Sequence, residues 1–277
     1  MNDKSKITRS KAPYSVEHNE RAWDHYVEQG VSWTLAVDAD AIERAKEGNF
    51  ELHLGLKRPI EREWFPSDMR GLNVLCLAGG GGQQGPLLAA MGANVTVMDL
   101  SAGQLAADIK SAELYGLSIQ TEQGDMRDLS RFSSELFDIV LCPVSITYIP
   151  ELMTLYQECF RVLKPEGCFM LAAPHPSIYL FDADLWDQGI FQVANRLPFN
   201  SMDELNEDEQ RQFIADKKAI EFSHTMEQII GGQVNAGFVI DRFVEDKLDE
   251  GLSRYMSDYF ATRARKLTVI SPAECQR

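Results

Sequence analysis

A run of strand-forming residues, Val74-Leu75-Cys76-Leu77, enters Ala78 and four consecutive glycines, Gly79 to Gly82, and then a stretch suited to a helix, Pro86-Leu87-Leu88-Ala89-Ala90-Met91. Glycine tolerates positive φ and lets other groups approach bare backbone, and a helix that starts just after such a turn presents unpaired N–H groups. Pro86 suits the first helical turn, where an N–H would have no intrahelical partner. The next strand, Val95-Thr96-Val97-Met98-Asp99, ends in a carboxylate about 20 residues after the glycines. That spacing puts an acceptor beside the hydroxyls of a ribose bound across an open α/β sheet. The segment therefore predicts a nucleoside-cofactor site. Gly80-x-Gly82-x-x-Gly85 with Asp99 also satisfies the dinucleotide fingerprint of nicotinamide-dependent oxidoreductases, so the loop by itself leaves two cofactor classes open.

Around this unit strands and helices alternate. Upstream, helices are expected at Val16 to Gln29, closed by Gly30, and at Asp40 to Glu47, stopped by Gly48. Residues 1–72 thus read as a helical extension, its first dozen residues polar and mobile. Its tryptophans, Trp23, Trp33 and Trp64, have two readings: they pack the extension onto the core, or an aromatic helix lids the cofactor pocket. Downstream, Ser101 caps a helix over Gln104–Tyr115 with Leu105 and Ile109 on one face. Strands follow at Leu117–Thr121 and Leu136–Cys142, and an amphipathic helix carries Leu152, Leu155, Tyr156, Cys159, Phe160 and Leu163 at helical spacing. Lys164-Pro165-Glu166-Gly167 ends that helix, and Cys168–Ala173 is the fifth strand. From 175 to 222 the alternation breaks into an aromatic, then acidic, segment that reads as a helical insertion over one edge of the site. Thr225–Ala236 looks helical, with Met226, Ile229, Ile230 and Val234 on one side; Gly237–Asp246 and Phe260–Val269 supply the last two strands. Residues 73–269 form the main domain and 270–277 a tail.

With 277 residues and a formal net charge of -15, the chain repels phosphate backbones and anionic headgroups, which argues against nucleic acid and membrane partners. Arg263-Ala264-Arg265-Lys266 is the best basic segment, and it reads as a solvated strand face. Five cysteines without metal-like spacing, four of them in apolar stretches, indicate buried thiols in a reducing compartment. With no signal-like or bilayer-spanning run, a soluble cytoplasmic protein is expected.

In order along the chain, Ala78-Gly79-Gly80-Gly81-Gly82, Val97-Met98-Asp99-Leu100-Ser101, Gly124-Asp125-Met126, Phe137-Asp138-Ile139-Val140, Arg161-Val162-Leu163-Lys164-Pro165-Glu166-Gly167 and Ala236-Gly237-Phe238-Val239-Ile240 resemble the class I S-adenosylmethionine (SAM) dependent methyltransferases of the small-molecule type. The likeness spans roughly 73–269, and the glycine region is similar to that of a bacterial subgroup with an N-terminal extension. It implies a doubly wound α/β fold: a seven-stranded, mostly parallel sheet with an antiparallel last strand, and the insertion between strands five and six. It implies SAM as cofactor and S-adenosylhomocysteine (SAH) as product. Ala78, Gly79, Gly80 and Gly82 would face the methionine part; Asp99 would accept from the ribose; Leu100 would lie on adenine, with Gln104 nearby. Asp125 would accept from the adenine amino group and the N–H of Met126 meet a ring nitrogen, while Pro143, Val144 and Ser145 would line the region of the methyl group. Two residues depart from the family pattern. Cys76 stands where an acidic residue usually helps position the cofactor's amino end, and Ala78 where a glycine is usual. Gln84, loop carbonyls or the aromatic extension would then supply the missing contact.

Methyl transfer from a sulfonium requires an acceptor lone pair in line with the S–CH₃ bond, and needs a base only if a proton must leave. His175 and Tyr148 are the candidate catalytic groups, with His224 weaker; a hydrogen-bonded structural role is the alternative for His175. Cys142-Pro143-Val144-Ser145 lacks the form used on exocyclic amino groups of bases or on glutamine, and reverses the Pro-Cys order of pyrimidine C5 enzymes. No cluster suggests a metal. An O, N or C acceptor on a small molecule is expected; a homodimer is compatible with the sequence. The rival classes are a non-catalytic SAM-binding regulatory protein and a NAD-dependent oxidoreductase.

Overall fold

The computed structural model describes residues 16–268 apart from 187, 204, 249 and 250. The first dozen residues, Cys275 and the tail lie outside the described residues. Seven strands form one sheet: β1 (Asn73–Leu77), β2 (Asn94–Asp99), β3 (Ile119–Gln123), β4 (Phe137–Cys142), β5 (Leu163–Pro174), β6 (Val239–Asp246) and β7 (Tyr259–Arg265). Their order is β3-β2-β1-β4-β5-β7-β6. β1 is parallel to β2 and β4, and β7 is antiparallel to both its neighbours. The order differs from the 3-2-1-4-5-6 arrangement usual for dinucleotide binders. The chain leaves β1 toward β3 and then jumps back to β4 on the other side of β1. That reversal opens a crevice beyond the carboxyl ends of β1 and β4, where ligands bind in sheets of this kind.

The helices are α1 (Val16–Gln29), α2 (Ala39–Lys46), α3 (Gln84–Ala90), α4 (Ala102–Tyr115), α5 (Met153–Val162), α6 (Ala183–Trp186), α7 (Glu207–Ala215) and α8 (Gly232–Asn235). Cap chemistry sets several boundaries: Ser101 Oγ accepts from Gln104 N at 3.1 Å, Gly116 closes α4 at φ 66°, and Asn206 with Glu209 forms a capping box on α7. Alternation along the strands sorts the core onto two faces. Leu75, Leu77, Val140, Phe169 and Leu171 meet α5 through Leu155, Tyr156 and Cys159. Val74, Cys76, Val97, Leu141 and Met170 meet Leu52, Leu54, Trp64 and Phe65 of the extension, so the chain before β1 completes the sheet's second face. Trp64, 2% exposed, is the packing tryptophan of the first reading.

The structure corrects the sequence expectations in four places. Lys164–Gly167 does not end the helix ahead of a strand at Cys168: α5 stops at Val162 and β5 already begins at Leu163, which pairs with Phe137. Ile109 is 44% exposed, off the buried face of Leu105. In the expected 225–236 helix, Glu227–Gly231 forms a π-helical turn before α8. The extra residue advances the phase, so Gly232 and Gln233 are buried and Val234 is 54% exposed. The insertion is only partly helical; much of it is irregular chain tied by bridges between Phe181 and Val193 and between Asn200 and Phe222. Arg263 and Arg265 are ion-paired, with Asp241 and Glu166, and so form no phosphate track.

Candidate functional site

A cavity of about 1060 Å³ lies over the crevice and runs from the glycine loop to the insertion. Ala78, Gly79, Gly80, Gln84, Asp99, Leu100, Gln104, Asp125, Met126, Pro143, Val144, Ser145 and Tyr148 line it; Gly82 and His175 do not. Strand ends bring the first group together, because β1, β2 and β4 all finish at the same edge.

The glycine loop is shaped by its protein neighbours as much as by any ligand. Gly80, Gly81 and Gly82 all have positive φ, at 69°, 40° and 75°. A Cβ on Gly80 would come within 2.7 Å of Trp33 O, on Gly81 within 2.6 Å of Gln104, and on Gly82 within 2.6 Å of Ala36. Gly82 is therefore buried between elements: its carbonyl accepts from Val37 N at 2.9 Å and its N–H is held by the Asp108 carboxylate. Ala78, where glycine is usual, also has a positive φ of 47°. Two buried acceptors at this loop lack a donor, Gln84 Oε1 and Gln104 Oε1. Gln84 is fixed by its other end, Nε2 donating to His53 O at 2.8 Å, and its Oε1 lies 2.8 Å from where a Cβ on Gly79 would be. Orphaned oxygens beside bare glycine backbone fit a ligand that brings hydrogen-bond donors, such as the ammonium of an amino acid.

Asp99 Oδ1 accepts from Ser101 N at 2.8 Å, at the N-terminus of α4, where a negative charge is favoured. Burial nevertheless raises its pKa to about 7, with the Asp24 charge adding to the rise. Asp24, from α1, takes Ser101 Oγ at 2.6 Å and Gly103 N at 3.0 Å and so fastens the extension to α4. Asp108 is also pushed to about 7, by burial and by Asp99, and only the Gly82 N–H opposes this. Asp125 is clasped by Arg127, which donates Nε to Oδ1 at 3.0 Å and Nη2 to Oδ2 at 2.5 Å.

On the far side of the cavity the walls are aromatic. Trp23 meets Tyr148 edge-on with centroids 4.9 Å apart, and Trp33 also lines the cavity, so these two tryptophans border the space that Trp64 does not reach. Asn19 of α1 exchanges two hydrogen bonds with Ile220 of the insertion, at 2.8 and 3.0 Å, and Tyr26 Oη accepts from Ala219 N at 2.9 Å. Burial pushes the Tyr148 phenol well above its ordinary value, which keeps it protonated. The expectation that His175 reaches the reacting centre does not match its position: its Nδ1 meets Ser177 Oγ at 2.8 Å and caps the 3₁₀ turn Pro176–Leu180. Burial lowers its pKa. His224 is tied to Ile146 O at 3.0 Å. Cys142 is buried, its thiol pushed up to about 12, so it is no nucleophile. Sequence reasoning missed Asn19, Asp24, Asp108 and Glu221, none of which belongs to a local motif.

Residues 75–171 match the family described as a methyltransferase domain. Over 252 residues, 91% of this chain and 98% of the relative, the chain is 42% identical to the uncharacterised methyltransferase YbaJ of Bacillus subtilis strain 168. A ubiquinone biosynthesis O-methyltransferase of Pseudomonas syringae pv. tomato is 29% identical over 150 residues, 52% of this chain and 62% of that protein. An S-adenosylmethionine dependent methyltransferase from Mesorhizobium loti shares the fold with a TM-score of 0.57 at 20% identity, covering 74% of this chain and 94% of that one.

Proposed function

The chain belongs to the class I SAM-dependent methyltransferases, and on that premise we propose that it methylates an oxygen, nitrogen or carbon atom of a small molecule held under residues 175–222. The observation that carries this reading is one cavity with two differently built halves, glycine backbone and orphaned amide oxygens at one end and an aromatic wall at the other. SAM supplies an electrophilic methyl group on a sulfonium. Gly79, Gly80, Gln84 and Gln104 are suited to the amino-acid end of the cofactor, Asp99 to its ribose, and Leu100, Met126 and the N–H of Met126 to the adenine. Arg127 occupies Asp125 with its N, Nε and Nη2, which leaves the carboxylate one acceptor position for the adenine amino group. Pro143, Val144 and Ser145 border the space between the halves, where an acceptor and the methyl group would meet. We read Gly82 and His175 as structural residues and Tyr148 as a hydrogen-bonding wall of the acceptor site.

Holding acceptor and methyl in line is itself worth up to roughly 7–11 kcal/mol in well-oriented systems, so the aromatic wall contributes by excluding water and fixing the acceptor. No described helix is long and apolar enough to cross a membrane. Among the described residues no group of three or more His, Cys, Asp or Glu side chains is arranged to hold a metal. The test follows label from [methyl-³H]SAM into a cell extract divided by ultrafiltration. Label in a low-molecular-weight species other than SAM, formed only when the protein is added, supports the reading; protein-dependent label confined to protein or nucleic acid refutes the small-molecule part.

A further inference from the structure

Among the described residues, Glu221 is the cavity carboxylate to which neither a backbone N–H nor a cationic side chain donates. Asp125 has Arg127, Asp258 has the Leu248 N–H at 3.4 Å besides Ser253 Oγ at 2.6 Å, and Asp99 has the Ser101 N–H. Among the described contacts the donor to the Glu221 carboxylate is the neutral Tyr179 hydroxyl, at 3.1 Å to Oε2. The backbone around it is fixed, Glu221 N donating to Ser201 Oγ at 3.0 Å. Three further phenols, Tyr26, Tyr148 and Tyr259, lie close enough for the Glu221 charge to raise their pKa values. Tyr26 is anchored by Ala219 N, and the Tyr179 ring stacks on Phe199 at 5.3 Å. A half-buried carboxylate among neutral phenols is under-compensated, and desolvation pushes its pKa up. The surroundings offer what a cation needs: one formal negative charge, phenol oxygens as acceptors and electron-rich rings. Among the described residues the cavity's one basic side chain is Lys218, which is exposed, so the surroundings suit a cation better than an anion.

We propose that Glu221 and the ring of Tyr26, Tyr148, Tyr179 and Tyr259 recognise a protonated amine, so that the methyl acceptor is a small ammonium-bearing molecule. This rests on reading the cavity as a methyl-acceptor site. Charge selects the ligand, and the surrounding rings set its size.

The test is calorimetric titration of the SAH-saturated protein with phenethylamine and with 2-phenylethanol, its neutral counterpart of equal size. The amine is expected to bind about tenfold tighter than the alcohol. Glu221→Gln should abolish that preference without altering SAH affinity, and Tyr179→Phe, which keeps the carboxylate, should retain it. Equal binding of amine and alcohol to the wild type, or no binding of either, overturns the inference, as does a preference that survives Glu221→Gln. If Glu221→Gln weakens SAM but not SAH, the carboxylate serves the sulfonium and the inference also falls. Failure of the wild type to bind SAH would instead remove the methyltransferase reading, a result distinct from all of these.

Discussion

Replacing Asp99 by Asn should make the ligand-free protein more stable and the ligand-bound protein weaker. Asp99 is 8% exposed and its pKa stands at about 7 against an ordinary 3.8, so ionising it in the folded chain costs roughly 4 kcal/mol more than in the unfolded one. Because the folded-state value is the higher, the unfolded chain sheds its proton first. The contribution is complete below about pH 4 and is lost as pH rises to about 7, after which it is level. Asn removes that loss, and the Ser101 and Leu100 N–H bonds to the ionised carboxylate are already contained in the shifted pKa. The variant should therefore gain on the order of 4 kcal/mol at pH 8, or roughly 8–15 °C in Tm, and nothing at pH 4, where the wild-type carboxyl is a neutral acceptor too. In the complex the ribose hydroxyls would donate to an ionised Asp99, so SAH should bind the variant about 10–100-fold more weakly, as expected for charge-assisted hydrogen bonds. Wild-type SAH affinity should rise from pH 5 to 8 and the variant's should not. Scanning calorimetry across that range, with SAH titrations at each pH, measures both effects. Identical pH slopes of Tm, or unchanged SAH affinity, would refute the electrostatic argument.

Ala78→Gly should relieve about 1–2 kcal/mol of left-handed backbone strain at φ 47° against about 0.5–1 kcal/mol of added chain entropy; urea unfolding should show a small gain, with Ala78→Val clearly destabilised. Asn19→Ala strands the buried Ile220 N–H, and should cost about 1–3 kcal/mol and speed hydrogen exchange at 219–221. His175→Ala should lose about 1 kcal/mol of capping while leaving SAH affinity and the pH profile of turnover unchanged, and His175→Asn should restore the cap; a shifted profile would return His175 to the reacting centre.

Sheet and helices were legible where local chemistry decides them. The central strands β1 and β4 are mostly apolar runs because they are covered on both faces, and α1 and α4 end where Gly30 and Gly116 adopt positive φ. The expected phase of 225–236 failed because a π-turn has no sequence mark that periodicity detects. The motif residues at the ends of β1, β2 and β4 converge as expected, since their positions follow from strand order. Glu221 was illegible: it lies 42 residues from its partner Tyr179, in a segment without regular structure, and its environment exists only after the insertion meets α1.

Gly82 shows why a glycine motif cannot by itself assign ligand contacts. Its neighbours come from α4, where Gln104, Asp108 and Ser111 recur at helical spacing and are all buried. A polar stripe at that spacing ordinarily reads as a solvated helix face; here it faces the loop. Gln104 abuts Gly81, Asp108 holds the Gly82 N–H and abuts Gly85, and Ser111 Oγ lies where a Cβ on Gly82 would clash. On the other side Trp33 O, Ala36 and Val37 press on Gly80 and Gly82. The acidic group usual at the end of β1 is replaced by Cys76, a buried thiol that feels the negative charge of Asp108. A second carboxylate beside Asp108, in place of that thiol, would add repulsion between like charges in a site already holding Asp99. The departure at Cys76 is thus coupled to Asp108: the carboxylate that orders the glycine loop comes from α4, which leaves room on β1 only for a neutral side chain.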